Sequence, residues 1–387
     1  MKKIGIFTTT RAEFGIFSAL IRELECNSSI KYFLFVGGSH LVKEFGETIN
    51  EIKNKFNITK TFDFFLKEDS KYSLTKSLGI ETVKLAKLFR NHDFEFCCVL
   101  GDRFELLPIV TTAIIYNKPI IHIHGGEESQ GAIDEQIRHM ITKAAHIHFV
   151  SCKEYAGNIR KMEEQEWRIF NEGALGIDNI VKNKKIPKSD LFKQLKLDKN
   201  KQTVLMTYHP VTLEYKISTL EQIKNVFNAL SKFNFQIIVT GPNVDVDRDI
   251  IMSFINTQAK ENKNIHYFDS LGVIRYHSLI PYCEFVIGNS SSGIVEVPFF
   301  RKLTINIGDR QKGRLRHPSI IDTEYNEESI ISGINKALSK DFQESIKNME
   351  YKFGDGHAAE RIVKILKDIK IDEKLMRKKL DFPEYKI

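Results

Sequence analysis

Between residues 94 and 162 the chain alternates apolar runs with helical stretches three times, and each apolar run ends on polar residues. The spacing predicts strand 94–100 leading to helix 104–117, strand 119–124 to helix 133–145, and strand 147–151 to helix 153–162. Such alternation requires right-handed crossovers and a mostly parallel sheet. In an open α/β sheet, ligands bind beyond the carboxyl ends of the strands. Phe94–Leu100 ends on Gly101-Asp102, and Pro119–Ile123 ends on His124-Gly125-Gly126. Asp102, His124, Glu127, Asp134 and Glu135 are therefore expected to converge on one crevice, with Arg138 and His139 beside them.

The rest of the chain repeats this logic. Lys2–Phe7 reads as a buried first strand, Thr8-Thr9-Thr10-Arg11 as its exit turn, and Ala12–Glu25 as an amphipathic helix. Arg11 then lies beside a helix N-terminus, a favourable place for an anion; the plainer alternative is a local salt bridge. Tyr32–Val36 ends in Gly37-Gly38-Ser39-His40. Helices are expected at 41–55 and 74–91, the second burying Leu74, Leu78, Val83, Leu85, Ala86 and Leu88, while 61–66 reads equally as strand or loop. Phe170–Gly176 closes a first domain, 1–181, and a lysine-rich stretch, 182–199, reads as a linker. A second domain, 200–355, has strands ending at His209-Pro210, Gly241-Pro242-Asn243, Gly288-Asn289-Ser290 and Gly308-Asp309-Arg310. Helices at 327–338 and 356–368 finish the fold. The expected architecture is two doubly wound α/β domains facing each other across a cleft.

At 387 residues the chain exceeds one ordinary core, which agrees with two domains. Apolar residues at 42% and charged residues at 28% are globular values, and no apolar run reaches a membrane span. The N-terminus turns polar at Thr8, so no signal-peptide core is expected. Cys26, Cys97, Cys98, Cys152 and Cys283 lack paired spacing, which points to reduced thiols and a cytoplasmic setting. The net charge of +7 is dispersed rather than run together as a nucleic-acid stripe, and suits a small anionic substrate better.

Three constellations carry chemistry. The run Gly288-Asn289-Ser290-Ser291-Ser292-Gly293 puts small hydroxyl residues at a helix start, where N–H groups cradle phosphate; Ser-rich capping is the plainer reading. It is not a Walker loop, and no GxGxxG follows the first strand. Glu296, on the same helix, is placed to accept from ribose hydroxyls. His122 and His124, two apart on a strand, share a face as a metal pair would. Because no further ligand set has fitting spacing, one core histidine and one strand-end histidine is the preferred reading, without a metal. Asp102, Glu127, Asp134 and Glu135 form a carboxylate set in which repulsion raises some pKa values, as acid/base work at one pH requires.

TRAEFG (10–15), GGSHL (37–41), GDRFE (101–105), HIHGGE and IDEQIRH (122–139), YHPVT (208–212), GNSSSGIVEVP (288–298), INIGDRQKGR (305–314) and FGDGHAAERI (353–362) resemble the hydrolysing UDP-N-acetylglucosamine 2-epimerases. They look most like the branch serving sialic and legionaminic acid synthesis, in order and over essentially the whole chain. The resemblance implies a GT-B fold of two Rossmann-like domains, with a C-terminal helix over 356–387 returning to the first. It implies a nucleotide-diphospho-2-acetamido sugar as substrate: UDP-N-acetylglucosamine, or a UDP- or GDP-linked 2,4-diacetamido-2,4,6-trideoxy sugar. Anti elimination gives a 2-acetamidoglycal, and hydration releases a free sugar inverted at C2, with no cofactor or metal.

On this resemblance Asp102 and Asp134 match acidic positions, and His209 and Arg310 match residues near the diphosphate. Ser290, Ser291 and Glu296 match nucleotide contacts, and Ser292 and Gly293 of the same run are expected to bind the nucleotide with them. Arg11 matches a cleft arginine and His40 a histidine near sugar or phosphate, and Arg138, beside the carboxylate set, is expected to bind substrate. Many relatives carry glutamate where His124 stands, so either His124 or Glu127 takes that acid/base role. Position 16 is isoleucine, where the cell-wall branch has lysine. A homodimer or higher homo-oligomer is implied, with no nucleic-acid or membrane partner. Two other classes share the fold: a GT-B glycosyltransferase, which needs an acceptor groove, and a non-catalytic nucleotide-sugar-binding regulator, which would be expected to lose Asp102 or Asp134.

Overall fold

The computed structural model describes residues 1–43, 47–64, 70–130, 132–211, 214, 216–242 and 246–381. The chain forms two compact units, one of Met1–Glu127, Asp134–Val181 and Phe353–Ile387, the other of Glu128–Ile133 and Lys182–Lys352.

The first unit holds strands β1 (Lys2–Thr8), β2 (Ile30–Gly37), β3 (Lys60–Phe62), β4 (Phe96–Leu100), β5 (Ile120–Ile123), β6 (Ile147–Val150) and β7 (Ile169–Asn171). They pair in parallel in the order β3-β2-β1-β4-β5-β6-β7. Both faces of this sheet are buried, so its strands are continuously apolar. In β4, Phe96, Cys98 and Leu100 face one core, while Cys97 and Val99 face the other. The second core is aromatic, with Phe7 stacked on Phe35 at 4.8 Å and Phe89 edge-on to Phe94 at 5.0 Å. Helix Ala358–Asp368 buries Ala359, Ile362 and Leu366 in the first core, against Phe17 and Leu20 of helix Arg11–Glu25.

The second unit holds β8 (Thr203–Thr207), β9 (Gln236–Thr240), β10 (Ile265–Phe268), β11 (Phe285–Gly288), β12 (Leu303–Ile307) and β13 (Ile320–Thr323). Their parallel order is β10-β9-β8-β11-β12-β13. Chain direction across the sheet reverses between β1 and β4 in one unit and between β8 and β11 in the other, so each has a switch point of the kind where ligands bind.

The structure departs from expectation in several places. Helix Lys71–Asn91 buries Ser73, Ser77, Glu81, Leu85 and Leu88, whereas Val83 is 74% exposed and Ala86 faces solvent. Serines occupy part of the inner stripe, which hydrophobic periodicity does not detect. The stretch 182–199 carries helix Lys188–Gln194, and Leu191, Phe192, Leu195 and Leu197 bury against Leu205 and Ile238 of the second unit. The expected C-terminal helix stops at Asp368, and a short helix, Glu373–Met376, follows. Strand 61–66 resolves as Lys60–Phe62, and helix 41–55 as Ile49–Lys53. The remaining parts of these expectations at 44–46, 65–66, 382–387, Thr212 and Asn243 lie outside the described residues.

Candidate active site

In the first unit the β1, β4 and β5 exits and helix Asp134–Ala144 bring most of the expected residues together. His122, on β5, bonds through Nε2 to the carbonyl of Gly101 at 2.8 Å, and its Nδ1 lies 3.3 Å from the Thr142 hydroxyl. Burial, the dominant effect, lowers its pKa to about 3, so the neutral ring donates from Nε2 and accepts at Nδ1. One core histidine thus ties the β4 exit to the helix carrying Asp134 and Arg138.

The strand ends at Ile123, and His124 turns to φ 65°. The period-two expectation that His122 and His124 share a face fails for that reason. Instead His124 Nδ1 lies 2.6 Å from Glu127 Oε1, which also accepts the Ser151 hydroxyl at 3.1 Å. Among the described residues, the buried His124 Nε2 has no hydrogen-bond partner. Between the two, Gly126 (φ 75°) accepts no side chain, since a Cβ there would stand 2.4 Å from the Tyr155 carbonyl oxygen.

Arg138 is 1% exposed and gathers the acidic groups. Its guanidinium pairs with Asp102, reaches Glu135 at 3.1 Å and donates to the Glu127 carbonyl at 2.7 Å. His139 stays at the rim, 3.1 Å from Glu135. Asp134 opens the helix and lies 3.9 Å from Arg103, which in turn bonds buried Glu105 at 3.3 Å. Arg103 and Glu105 belong to the GDRFE run, yet nothing in their spacing distinguishes them from surface charges.

Arg11 begins helix Arg11–Glu25, but the chain fills its own anion site there. Glu13 Oε2 accepts the backbone N–H groups of Thr9 at 2.9 Å and Thr10 at 3.1 Å. Burial, reinforced by Glu105, pushes Glu13 up to about 7 against those bonds. Glu81 is raised well above the usual range by burial, then by Glu105 and Glu13. Two raised, buried carboxyls therefore lie near Glu105, the partner of Arg103. His40 is fully buried, with Nε2 3.0 Å from the Thr8 hydroxyl and Nδ1 2.7 Å from that of Thr48. Burial lowers it to about 3, so it braces the β1 exit as a neutral ring.

In the second unit the exits of β8, β11 and β12 carry His209, the 289–293 run and Arg310. Gly288 (φ 135°) closes on β8, where a Cβ would stand 1.9 Å from the Thr207 carbonyl oxygen. Asn289 is fully buried; its Oδ1 accepts from His209 N–H at 2.7 Å and its Nδ2 donates to the His209 carbonyl at 2.8 Å. Arg310 donates to the Asn289 carbonyl at 3.3 Å, and Gln311 to the same oxygen at 2.9 Å.

Ser290 sits at the N-cap of helix Ser291–Val295, but its hydroxyl makes no capping bond, so the capping expectation fails. Ser291 is exposed, and Gly293 packs on Thr304, whose hydroxyl bonds its carbonyl at 2.6 Å. Ser292 donates to Glu296 at 2.5 Å and accepts from the Tyr276 hydroxyl at 2.9 Å, while His277 lies 3.5 Å from the other Glu296 oxygen. Gln311, Tyr276 and His277 escaped sequence reasoning, whereas Asn289 stood in the 288–293 run at a strand exit but without its partners.

Each unit is thus a Rossmann-like sheet with polar groups massed at the switch point, the arrangement of a nucleotide-sugar enzyme of the GT-B type. Residues 22–367 match the UDP-N-acetylglucosamine 2-epimerase family, and the chain belongs to that family. It is an enzyme, a nucleotide-sugar 2-epimerase. It is 37% identical to the GDP/UDP-N,N'-diacetylbacillosamine 2-epimerase (hydrolyzing) of Campylobacter jejuni, over 98% of this chain and 99% of the relative. It is 35% identical to the polysialic acid biosynthesis protein P7 of Escherichia coli, over 99% of this chain and 98% of the relative. The Legionella pneumophila UDP-N,N'-diacetylbacillosamine 2-epimerase (hydrolyzing) is 31% identical, over 98% of this chain and 99% of its own length. In fold it is similar to the S. aureus MnaA-UDP co-structure, with TM-score 0.79 at 18% identity, covering 99% of this chain and 100% of that one. The UDP-GlcNAc 2-epimerase of Neisseria meningitidis bound to UDP-GlcNAc gives TM-score 0.78 at 16% identity, covering 95% of this chain and 99% of that one. Among the described residues no helix is long and apolar enough to cross a membrane.

Proposed function

We propose that the enzyme releases nucleoside diphosphate from a UDP- or GDP-linked 2,4-diacetamido-2,4,6-trideoxy sugar and yields the free sugar inverted at C2. The names of the Campylobacter and Legionella relatives support this choice over UDP-N-acetylglucosamine. The C2–H and C1–O bonds break together in the first step, giving a 2-acetamidoglycal and the diphosphate. Water then places hydroxyl on C1 and a proton on C2. The polysialic acid relative supports a place in sialic or legionaminic acid synthesis.

The observation that carries the reading is the His124–Glu127 pair. Glu127 orients the ring through Nδ1 and leaves the buried Nε2 as a proton acceptor and donor. His124 is thereby the acid/base and Glu127 its orienting partner. Asp102 and Asp134, beside Arg138 and Arg103, handle the second proton transfer. His209, Arg310 and the 290–293 backbone stabilise charge on the leaving diphosphate, Arg11 and Arg138 assist from the first domain, and Ser292 with Glu296 holds the ribose. His40 supports the sugar side by bracing the β1 exit. The domains are taken as 1–181 and 200–355, with the segment from 356 serving the first.

The reaction belongs in the cytoplasm. Exposed Val83, Ile114, Ile115 and Met140 on three first-domain helices support a homodimer face. Side-by-side turnover of UDP-N-acetylglucosamine and the UDP- and GDP-diacetamido sugars tests the reading. The diacetamido sugars should release nucleotide fastest without any acceptor. Release only when an acceptor sugar is added would instead indicate a transferase.

A further inference from the structure

We infer that Asn289 is a positioning residue that sets His209 against the leaving diphosphate and locks Arg310 to the same frame, an inference resting on the diphosphate roles proposed for those two residues. The ladder between β8 and β11 ends at Thr207 and Gly288, and Asn289 N–H still reaches the Thr207 carbonyl at 3.2 Å. One residue further, the ladder continues through a side chain. The Asn289 carboxamide meets His209 N–H at 2.7 Å and His209 C=O at 2.8 Å, as a neighbouring strand would. Its orientation is dictated, because one partner only donates and the other only accepts.

The Asn289 main chain completes the frame. Its carbonyl takes Arg310 at 3.3 Å and Gln311 at 2.9 Å, so one fully buried residue fixes the exits of β8, β11 and β12. The close approach at Gly288 is what brings the carboxamide into reach. Few residue types serve here. Alanine would leave both backbone groups of His209 without these partners, and aspartate would turn an oxygen toward the His209 carbonyl. Arg310, held through the Asn289 backbone, should be less disturbed than His209, held through its side chain.

The test is a double-mutant cycle with UDP-N,N'-diacetylbacillosamine as substrate and UDP as the binding probe. Asn289→Ala should lower kcat about 10–100-fold, the scale of a displacement near 1 Å, while the UDP dissociation constant moves far less. Asn289→Asp, which keeps the bond from His209 N–H but sets an oxygen against the His209 carbonyl, should lower kcat as well; it carries the cycle if Asn289→Ala does not fold. In a His209→Ala background the same substitutions should cost less than about twofold, since the residue acts through His209. An equal loss in both backgrounds, or an unchanged kcat in a folded variant, would overturn the inference. Full turnover in His209→Ala alone would overturn the assignment of His209 and this inference with it. A large His209→Ala loss with additive effects would overturn only the role of Asn289.

Discussion

The two units share a strand order and parallel pairing but differ in what their strand exits carry. The first unit masses titratable groups there: Asp102, His124, Glu127 and Asp134, held by Arg138 and Arg103 above buried Glu13, Glu81 and Glu105. The second presents an amide, small hydroxyls and an arginine, held largely by backbone bonds. Groups that move protons need tuned environments, whereas groups that bind an anion need fixed donors. On the proposed function, one scaffold used twice is loaded for two halves of one reaction. Even the equivalent loops differ, since the first unit fills the N–H groups after β1 with its own Glu13 carboxyl.

Asp102→Asn should break the first half most sharply. Turnover should fall by about 10²–10⁴ while nucleotide affinity changes far less, because a proton-transfer group is lost and Arg138, its partner, keeps its bonds to Glu135 and the Glu127 carbonyl. Steady-state kinetics alongside UDP titration calorimetry separates the two effects. Near-normal turnover would place the chemistry on another carboxylate.

Arg310→Ala should do the reverse. A charge-assisted bond is worth about 1.5–3 kcal/mol, so UDP binding should weaken roughly 10–100-fold, with elimination slowed as well. Unchanged UDP affinity would remove Arg310 from the nucleotide side.

Buried charge should also make the first unit the pH-sensitive one. Burial would raise Glu164, but bonds from His148 and Lys378 outweigh it and hold it down to about 2, from 4.5. Its stabilisation is present above 4.5 and is lost as pH falls toward 2. Lys378→Met, which also frees the tail from the Thr142 and Lys143 carbonyls, should destabilise by about 1–3 kcal/mol. Melting temperature and hydrogen exchange in 134–164 would report it, and no change in either would argue against the contact.

Glu13 has the opposite sign. Its folded pKa of about 7 exceeds the ordinary 4.5, so its contribution is full below 4.5 and is lost as pH rises through 7. Taken alone, these two carboxyls put the greatest first-unit stability near pH 4.5. Among the described residues the fully buried Glu81 carboxyl has no hydrogen-bond partner, so Glu81→Leu, which removes the unpartnered group at similar volume, should stabilise by about 1 kcal/mol. A lower melting temperature would mean that the carboxyl has a compensating role.

Much of this asymmetry was legible in the sequence, because strand exits are marked by an apolar run giving way to glycine and polar residues. That signal located Asp102, His124, His209, Asn289 and Arg310 at their exits. It could not supply partners. Asn289 grips the backbone of a residue 80 positions away, and no side-chain pattern encodes that. Glu81 carried no sequence signal, because its helix turns Ser73 and Ser77 inward on the same stripe as Leu85 and Leu88. The left-handed turn at His124, which aims its ring at Glu127, arises where period-two reasoning no longer applies.

The most direct test of the account is one NMR time course. UDP-N,N'-diacetylbacillosamine is incubated with the enzyme alone in D2O, without acceptor. The account predicts UDP and free sugar in equal amounts, with the sugar inverted at C2 and carrying deuterium there, because the C2 proton leaves in elimination and returns from solvent. A free sugar with retained C2 configuration and its original proton, or no UDP release until an acceptor is added, would contradict it.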